Sequence, residues 1–255
     1  MQAPVICGTI ERRLLVNFRV DPDVLARWLP PPFRPLRIGE FGMAGICLIR
    51  LGNLRPRGWP AWLGVSSENA AHRIAVEWNA PDGIRRGVYV PRRDSNSRLN
   101  VLVGGRVFPG VHHLSRFDVH EVDDRYCVAL ANVDGTSISV TARLADRLPA
   151  GTVFGSLTEA SDFFAGGSIG YSASRRPGLY EGLELRTHNW KIEPLAVEQV
   201  ASSVFDDRRL FPAGTIDFDS AFLMRNVAHE WHGRESLCGN GRIAAASLAP
   251  AATPA

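Results

Sequence analysis

Eight polar side chains offer acid/base and anion-binding chemistry in a chain that is otherwise rich in strand-forming residues. A carboxylate or an imidazole can transfer a proton near neutral pH, and an arginine can hold a carboxylate through two parallel hydrogen bonds. This combination suits a small oxo-acid or a related organic anion. The alternative is that each group is separately exposed or separately hydrogen-bonded. The candidates are Glu68, His72, Arg73, Arg106, His112, His113, His188 and Lys191.

Two of the histidines lie near the end of the segment Asn100–Leu114, which has the composition of a binding-site wall. Its first residues, Asn-Val-Leu-Val, predict a strand. Two glycines then indicate a bulge or a close approach of the backbone to another group. Arg106 follows at this break, and a Pro-Gly pair predicts a turn before His112 and His113. An ordinary strand, bulge and surface loop would look the same, so both interpretations stay open.

Composition and charge exclude several classes of function. The chain has 255 residues, a net charge of +3 at pH 7 and 45% hydrophobic residues, which is typical of a soluble globular protein. Its basic residues form isolated pairs, such as Arg92–Arg93, and no continuous stripe, so no nucleic-acid partner is predicted. We expect most of these pairs to be solvated. Neither Gly-Gly pair fits the strand, G-x-G-x-x-G, helix rule, so no nucleotide site is predicted.

The cysteines and the apolar runs indicate a cytoplasmic protein that uses no cofactor. Four cysteines lie far apart and form no Cys-x-x-Cys pair, so neither a metal site nor a disulfide framework is predicted. No segment has the pattern of a signal peptide. No apolar run approaches the roughly 20 residues needed to span a membrane. We therefore expect reduced thiols and no membrane partner, and we leave a homo-oligomer open.

The pattern of elements favours a mainly β fold with a few short helices. Asp21 and the capping box Ser156–Glu159 each predict the start of a helix. Residues 1–238 are expected to form one domain, and the Ala/Pro-rich residues 239–255 a disordered tail. Strands are predicted at Arg12–Val20, Arg37–Leu51, Ile84–Pro91, Ser115–Val122, Tyr126–Val133, Ser137–Leu144, Tyr180–Glu193, Leu195–Phe205 and Ser220–Trp231, and in the second half of Ser66–Asn79.

Four segments, in this order, resemble the acetoacetate decarboxylase-like superfamily, and in particular its branch of uncharacterised bacterial proteins. The resemblance extends over most of residues 10–235 and implies an antiparallel β-barrel with a pocket inside. It also implies that Glu68 is a pocket glutamate and that His188 and Trp190 lie at the site. The four segments are Leu14–Phe33, Ser66–Asn69, Gly105–Leu114 and His188–Trp190.

The same resemblance implies a departure from the family's best-known reaction. Acetoacetate decarboxylases follow Gly-Arg with Pro-Lys-Lys, and one of these lysines forms a Schiff base with the β-keto acid. In an ungapped comparison His112 stands at the proline and His113 at the first lysine, and an imidazole cannot form the imine. Lys191 is the only lysine in the chain, and an isolated lysine usually keeps its ammonium group in water.

We therefore expect a pocket for a small organic anion, in an enzyme that uses acid/base chemistry on an oxo-acid or polyketide-like substrate. Such an enzyme would be lyase-, dehydratase- or isomerase-like and would form no Schiff base at the usual position. Glu68 and His113 would transfer protons, and Arg73 or Arg106 would bind the anion. The alternative is a non-catalytic ligand-binding or sensing module. Further expected ligand contacts are His72, His112, His188 and Trp190.

Overall fold

The computed structural model describes residues 4–104 and 109–240, without the side chain of Val103. Arg106 and the predicted tail beyond residue 240 lie outside the described residues. No helix in this part of the chain is long and apolar enough to cross a membrane.

Strands make up most of the described chain. The helices are α1 (Pro22–Trp28), α2 (Arg98–Val103) and α3 (Leu157–Gly166), with a 3-10 turn at Ala61–Leu63. The strands are β1 (Ile6–Val20), β2 (Arg34–Pro35), β3 (Arg37–Ile38), β4 (Phe41–Pro56), β5 (Val65–Ala80), β6 (Gly83–Ser95), β7 (His112–Leu114), β8 (Arg116–Val122), β9 (Arg125–Ala131), β10 (Ser137–Leu144), β11 (Ile169–Ala173), β12 (Leu179–Thr187), β13 (Glu193–Ser202) and β14 (Ile216–Cys238).

Seven strands form a closed ring of hydrogen-bonded neighbours, in the order β1-β4-β5-β6-β11-β12-β14. The ring closes because β14 pairs antiparallel with β1, from Ile6 opposite Trp231 to Val20 opposite Ile216. Neighbours in the ring are antiparallel except for β6 and β11, which are parallel. The predicted mainly β class is confirmed.

The ring has an inner and an outer face because successive side chains of a strand point to opposite sides. Leu15, Met43 and Phe222 are fully buried on the inner face. Helix α3 adds its apolar side to this inner core, where the rings of Phe164 and Phe222 lie 5.5 Å apart. The ring interior is therefore partly filled by a helix and partly left open.

A second layer covers the outer face of β1, β4 and β5. Strands β13, β10, β9 and β8 extend the sheet from β14. Their buried residues Val128, Val140 and Leu195 pack in one core with Leu14 and Leu48 of the ring. The chain thus buries both faces of β1 and β4, which explains their long apolar runs.

Most of the predicted elements are confirmed, although the bounds of several strands differ and one element is of another type. Strands β8–β10 form the expected meander, and the Ser156 side chain accepts a hydrogen bond from the Glu159 N–H at the start of α3. The predicted strand at Asn100 is instead the short helix α2, because the Ser97 side chain caps it by accepting from the Asn100 N–H. Strand β14 is 23 residues long, far beyond the predicted Ser220–Trp231.

A buried charge network joins the ring to the outer layer. Arg12, which is only 2% exposed, donates to Glu68 Oε2 at 2.5 Å, and Arg50 donates to Glu68 Oε1 at 2.6 Å. Glu121 of β8 accepts from Arg12 and, at 3.1 Å, from Arg50. Glu68 therefore serves to neutralise two arginines between the layers.

We predict that Glu68→Gln lowers the free energy of unfolding by about 2–3 kcal/mol. Breaking a buried ion pair typically costs about 3–5 kcal/mol, and Glu121 still compensates part of the arginine charge. Urea denaturation measures the change. The matched control is Glu198→Gln, which removes an exposed carboxylate that also binds two arginines and should change stability much less. Equal effects of both substitutions would refute a buried structural role for Glu68.

Candidate functional site

The ring encloses a cavity of about 310 Å³ to which all seven ring strands contribute. This volume is sufficient for a small organic molecule. The side chains on its wall are mostly apolar, and three arginines lie among them. The wall residues include Arg13, Cys47, Ile49, Leu51, Asn69, Arg73, Val90, Arg93, Asp94, Asn100, His112, Phe164, Leu183, Leu185, Trp190 and Trp231.

Three arginines reach the cavity from strands β1, β5 and β6. Arg13 Nε donates to Cys47 Sγ at 3.2 Å. Arg73 donates to the Asn17 side chain, and its guanidinium lies 5.0 Å from the centre of the Phe164 ring. Arg93 Nε donates to Ser172 Oγ at 3.2 Å. All of these partners are neutral.

The three guanidinium groups have no carboxylate within 4.0 Å among the described residues. Burial lowers the pKa of Arg73 to about 10 and that of Arg93 to about 10, so both remain charged at pH 7. Asp94 also lies on the wall, but its two oxygens accept from Arg92 at 2.8 and 2.9 Å. The cavity wall therefore has an excess of positive charge.

His112 adds an imidazole to the same wall. Burial, together with the positive charge of Arg93, lowers the pKa of His112 to about 4, so the ring is neutral at pH 7. Its close approach requires glycine at position 104, where an added Cβ would lie 2.6 Å from His112 Nδ1. The sequence prediction that a glycine here marks a close backbone approach is correct.

Amides form the polar border of the cavity beside α2. The Asn100 side chain donates to Ser67 Oγ at 3.0 Å, and Ser95 Oγ donates to Asn69 Oδ1 at 2.7 Å. Much of the remaining wall is apolar and includes Leu183, Leu185, Trp190 and Trp231. Trp190 is held in place because its Nε1–H donates to Ser161 Oγ of α3 at 3.0 Å.

The structure brings only part of the predicted site together. Arg73, His112 and Trp190 line the cavity, whereas Glu68, His72, His113 and His188 do not. Glu68 and His72 share the outer face of β5, since they alternate with Asn69 and Arg73 along the strand. Arg106 lies outside the described residues.

The four residues away from the cavity have other surroundings. The carboxylate of Glu68 belongs to the charge network described above. His72 is 2% exposed, and its Nε2 lies 3.4 Å from Ser202 Oγ in the outer core. His113 follows His112 in β7 and so points to the other side of the strand. His188 is exposed. The expected convergence of Glu68 and His113 on one ligand is therefore not met.

Sequence reasoning missed Arg13, Arg93 and Cys47. Arg92–Arg93 was expected to be solvated, but Arg92 pairs with Asp94 while Arg93 lines the cavity. The sequence did contain a signal that one arginine of this pair points inward, because two adjacent residues in a strand face opposite sides. Lys191 is exposed and does not line the cavity.

Comparison with known proteins shows the family. A family model matches residues 9–220, and the chain belongs to this family, DUF2071, described as an uncharacterized conserved protein. No curated protein matches the chain.

Solved structures show the same fold at low sequence identity. An acetoacetate decarboxylase from Legionella pneumophila has a TM-score of 0.60 at 13% identity, covering 91% of this chain and 87% of that one. An acetoacetate decarboxylase-like enzyme from Sphingomonas wittichii RW1 has a TM-score of 0.58 at 13% identity, covering 93% and 95%. The enduracididine biosynthesis enzyme MppR complexed with pyruvate has a TM-score of 0.58 at 15% identity, covering 92% and 90%. The acetoacetate decarboxylase-like fold implied by the sequence is confirmed.

Burial of His72 predicts a loss of stability in mild acid. Desolvation lowers the pKa of His72 to about 4 in the folded state, against about 6.5 in the unfolded chain. Above pH 6.5 neither state binds the proton. Between pH 6.5 and 4 the unfolded state binds it more strongly, so His72 contributes a fall in stability of up to about 1.4 kcal/mol per pH unit.

Urea titrations at pH 7, 6 and 5 measure this fall. The His72→Phe variant should show a shallower dependence than the wild type, and the matched control His120→Phe, at an exposed site, should keep the wild-type slope. If His72→Phe and wild type have the same slope, His72 is not a buried neutral histidine.

Proposed function

We propose that the chain binds a small organic acid, of the 2- or 3-oxo-acid class, in the ring cavity. The observation that supports this proposal is the group of three arginines, Arg13, Arg73 and Arg93, which line the cavity without a carboxylate partner in the described chain. A bound carboxylate would supply the missing counter-charge. Support also comes from MppR, a protein of similar fold that was complexed with pyruvate.

Physical chemistry favours an anion over a neutral ligand. A buried charge is costly unless it is paired, and the lowered pKa of Arg73 and Arg93 reflects that cost. Arg73 Nε is buried without a hydrogen-bond acceptor. A bound carboxylate would pair with the buried guanidinium charge and would also accept the missing hydrogen bond from Arg73. Guanidinium groups bind carboxylates with two parallel hydrogen bonds.

The apolar part of the wall indicates the second part of the ligand. Leu183, Leu185, Trp190 and Trp231 offer apolar surface in the same cavity as the arginines. An acid with a hydrocarbon or aromatic substituent would place its carboxylate at the guanidiniums and its apolar part here. The hydrophobic contribution is about 25 cal/mol per Å² of buried apolar surface.

His112 is the group that we assign to proton transfer. It is neutral at pH 7 because its pKa is about 4, so its ring can accept a proton from a carbon next to a carbonyl. An arginine beside the carbonyl oxygen would stabilise the enolate that forms. The resulting activity is lyase- or isomerase-like acid/base chemistry without a Schiff base.

Removal of one arginine tests the binding site. We predict that Arg73→Gln and Arg93→Gln each weaken the binding of pyruvate or acetoacetate at least tenfold, equivalent to about 1.4 kcal/mol. Calorimetry measures the affinity, and circular dichroism confirms the fold. Arg208→Gln, at an exposed arginine, is the matched control and should bind like wild type.

Acetone, a ketone that lacks the carboxylate, is the control ligand. It should bind far more weakly than pyruvate or acetoacetate. Oxo-acids that bind no better than acetone, or that bind both cavity variants as tightly as wild type, would refute the proposal.

Exchange of ligand protons with solvent deuterium tests proton transfer, and it does not require the final product to be identified. We predict that the methyl protons of pyruvate exchange with D₂O in the presence of the protein, as followed by proton NMR. His112→Asn should slow this exchange by about 10²-fold or more, and the wild-type rate should fall as the pH approaches 4. The matched control is His113→Asn, at the neighbouring histidine that does not line the cavity.

Tight binding without exchange or turnover would instead favour the non-catalytic ligand-binding module. Equal loss of exchange in the His112 and His113 variants would contradict the assignment to His112.

A further inference from the structure

Cys47 lies on the cavity wall in the middle of the arginine group. It belongs to β4, between β1 and β5, and its side chain is 6% exposed. Cys47 pairs with Leu15 of β1 and with Ala71 of β5. Arg13 lies two residues before Leu15, and Arg73 lies two residues after Ala71. The sulfur is thus at the same level as the proposed carboxylate site.

One of the three guanidinium groups contacts this sulfur directly, and the other two line the same cavity. Arg13 Nε donates to Sγ at 3.2 Å. Burial lowers the pKa of Arg73 and of Arg93, and a negative charge on Cys47 acts in the opposite direction on both. The sulfur therefore lies beside positive charge that would attract an anionic ligand.

A second observation at the same place points to a ligand. Arg73 is 7% exposed and lines the cavity, yet its Nε has no acceptor. An anion that accepted from Arg73 would lie in the same cavity as Cys47. Its carbonyl carbon, next to the carboxylate in a 2-oxo acid, would therefore lie beside the sulfur.

We propose that Cys47 is a nucleophile that adds reversibly to the carbonyl carbon of a 2-oxo acid held by the arginines. This inference rests on the proposed function and identifies the ligand class more narrowly. The Sγ–C bond forms while the C=O π bond breaks, and its electron pair moves to the oxygen. The proton released by the thiol neutralises that oxygen, which gives a thiohemiketal and requires no other reactant.

The addition would give this cavity a covalent step that needs no lysine. The only lysine of the chain, Lys191, is exposed and away from the cavity. Guanidinium groups beside the new oxyanion would stabilise it before it is protonated. The covalent adduct would fix the acid in one orientation, with its remaining substituent toward the apolar wall.

Cys127 provides an internal control within the same chain. Its sulfur also accepts from an arginine, Arg125 Nη1, at 3.2 Å. Arg125, however, pairs with Glu198 at 2.8 Å and does not line the cavity. Cys127 therefore has the arginine contact without the excess positive charge and without the ligand site.

Paired alkylating reagents test whether Cys47 reacts at an anion site. The protein is labelled in parallel with iodoacetate, which is anionic, and iodoacetamide, which is neutral, and each cysteine is quantified by mass spectrometry. The ratio of iodoacetate to iodoacetamide labelling should be at least about tenfold higher at Cys47 than at Cys127, because a positive cleft concentrates anions. Pyruvate should protect Cys47 alone.

Equal ratios at the two cysteines, or no labelling of Cys47, would overturn the proposal. The Arg13→Gln variant should lower the ratio at Cys47, and Arg13→Lys, which keeps the charge, should restore part of it.

Carbon NMR of pyruvate labelled at the carbonyl carbon tests the adduct directly. With wild-type protein the bound ligand should show a saturated-carbon resonance, and Cys47→Ser should show only the ketone. Cys127→Ser should behave like wild type. Binding of pyruvate by calorimetry with no adduct in wild type would reject the covalent step and leave the proposed function intact, whereas absence of binding would reject both.

Discussion

The closure of the ring by strand β14 is the constraint on which the rest of the structure depends. β14 pairs with β1 over almost the whole length of β1 and also pairs with β12 and β13. One long strand thus closes the ring and connects it to the outer layer. Without this closure β1 would be an edge strand, and the side chains on its inner face would not face an enclosed space.

Because the ring is closed, alternate residues of its strands lie in two different environments, the cavity and the outer face. Neighbouring polar residues point to opposite sides, so one of each pair enters the cavity and the other supports the two layers. Among the outward residues, Arg12, Glu68 and Arg92 lie in ion pairs, and His72 lies in the outer core. The pairs, with the outward residue first, are Arg12 and Arg13, Glu68 and Asn69, His72 and Arg73, Arg92 and Arg93, and His113 and His112.

The consequence for function is a cavity with strong positive charge and little competing negative charge. Two carboxylates of the ring strands β5 and β6 are used by other arginines: Glu68 by Arg12 and Arg50, and Asp94 by Arg92. The ring therefore keeps its inward arginines without internal partners, at a cost in stability that a ligand would relieve. Such unpaired buried charge is typical of binding sites, where structure is optimised for the bound state.

The amino-acid sequence alone was enough to predict the β class, the order of most elements and the family fold. Hydrophobic alternation and capping residues are local signals, and they predicted the β8–β10 meander and helix α3 correctly. Of the residues predicted for the site, Arg73, His112 and Trp190 line the cavity. The face to which Glu68, His113 or Arg93 points depends on the register of strands that are distant in the chain, and a shift of one residue reverses it. Which member of each polar pair faces the cavity depends on the tertiary structure. The ring has an interior only because β14 pairs with β1 and closes it.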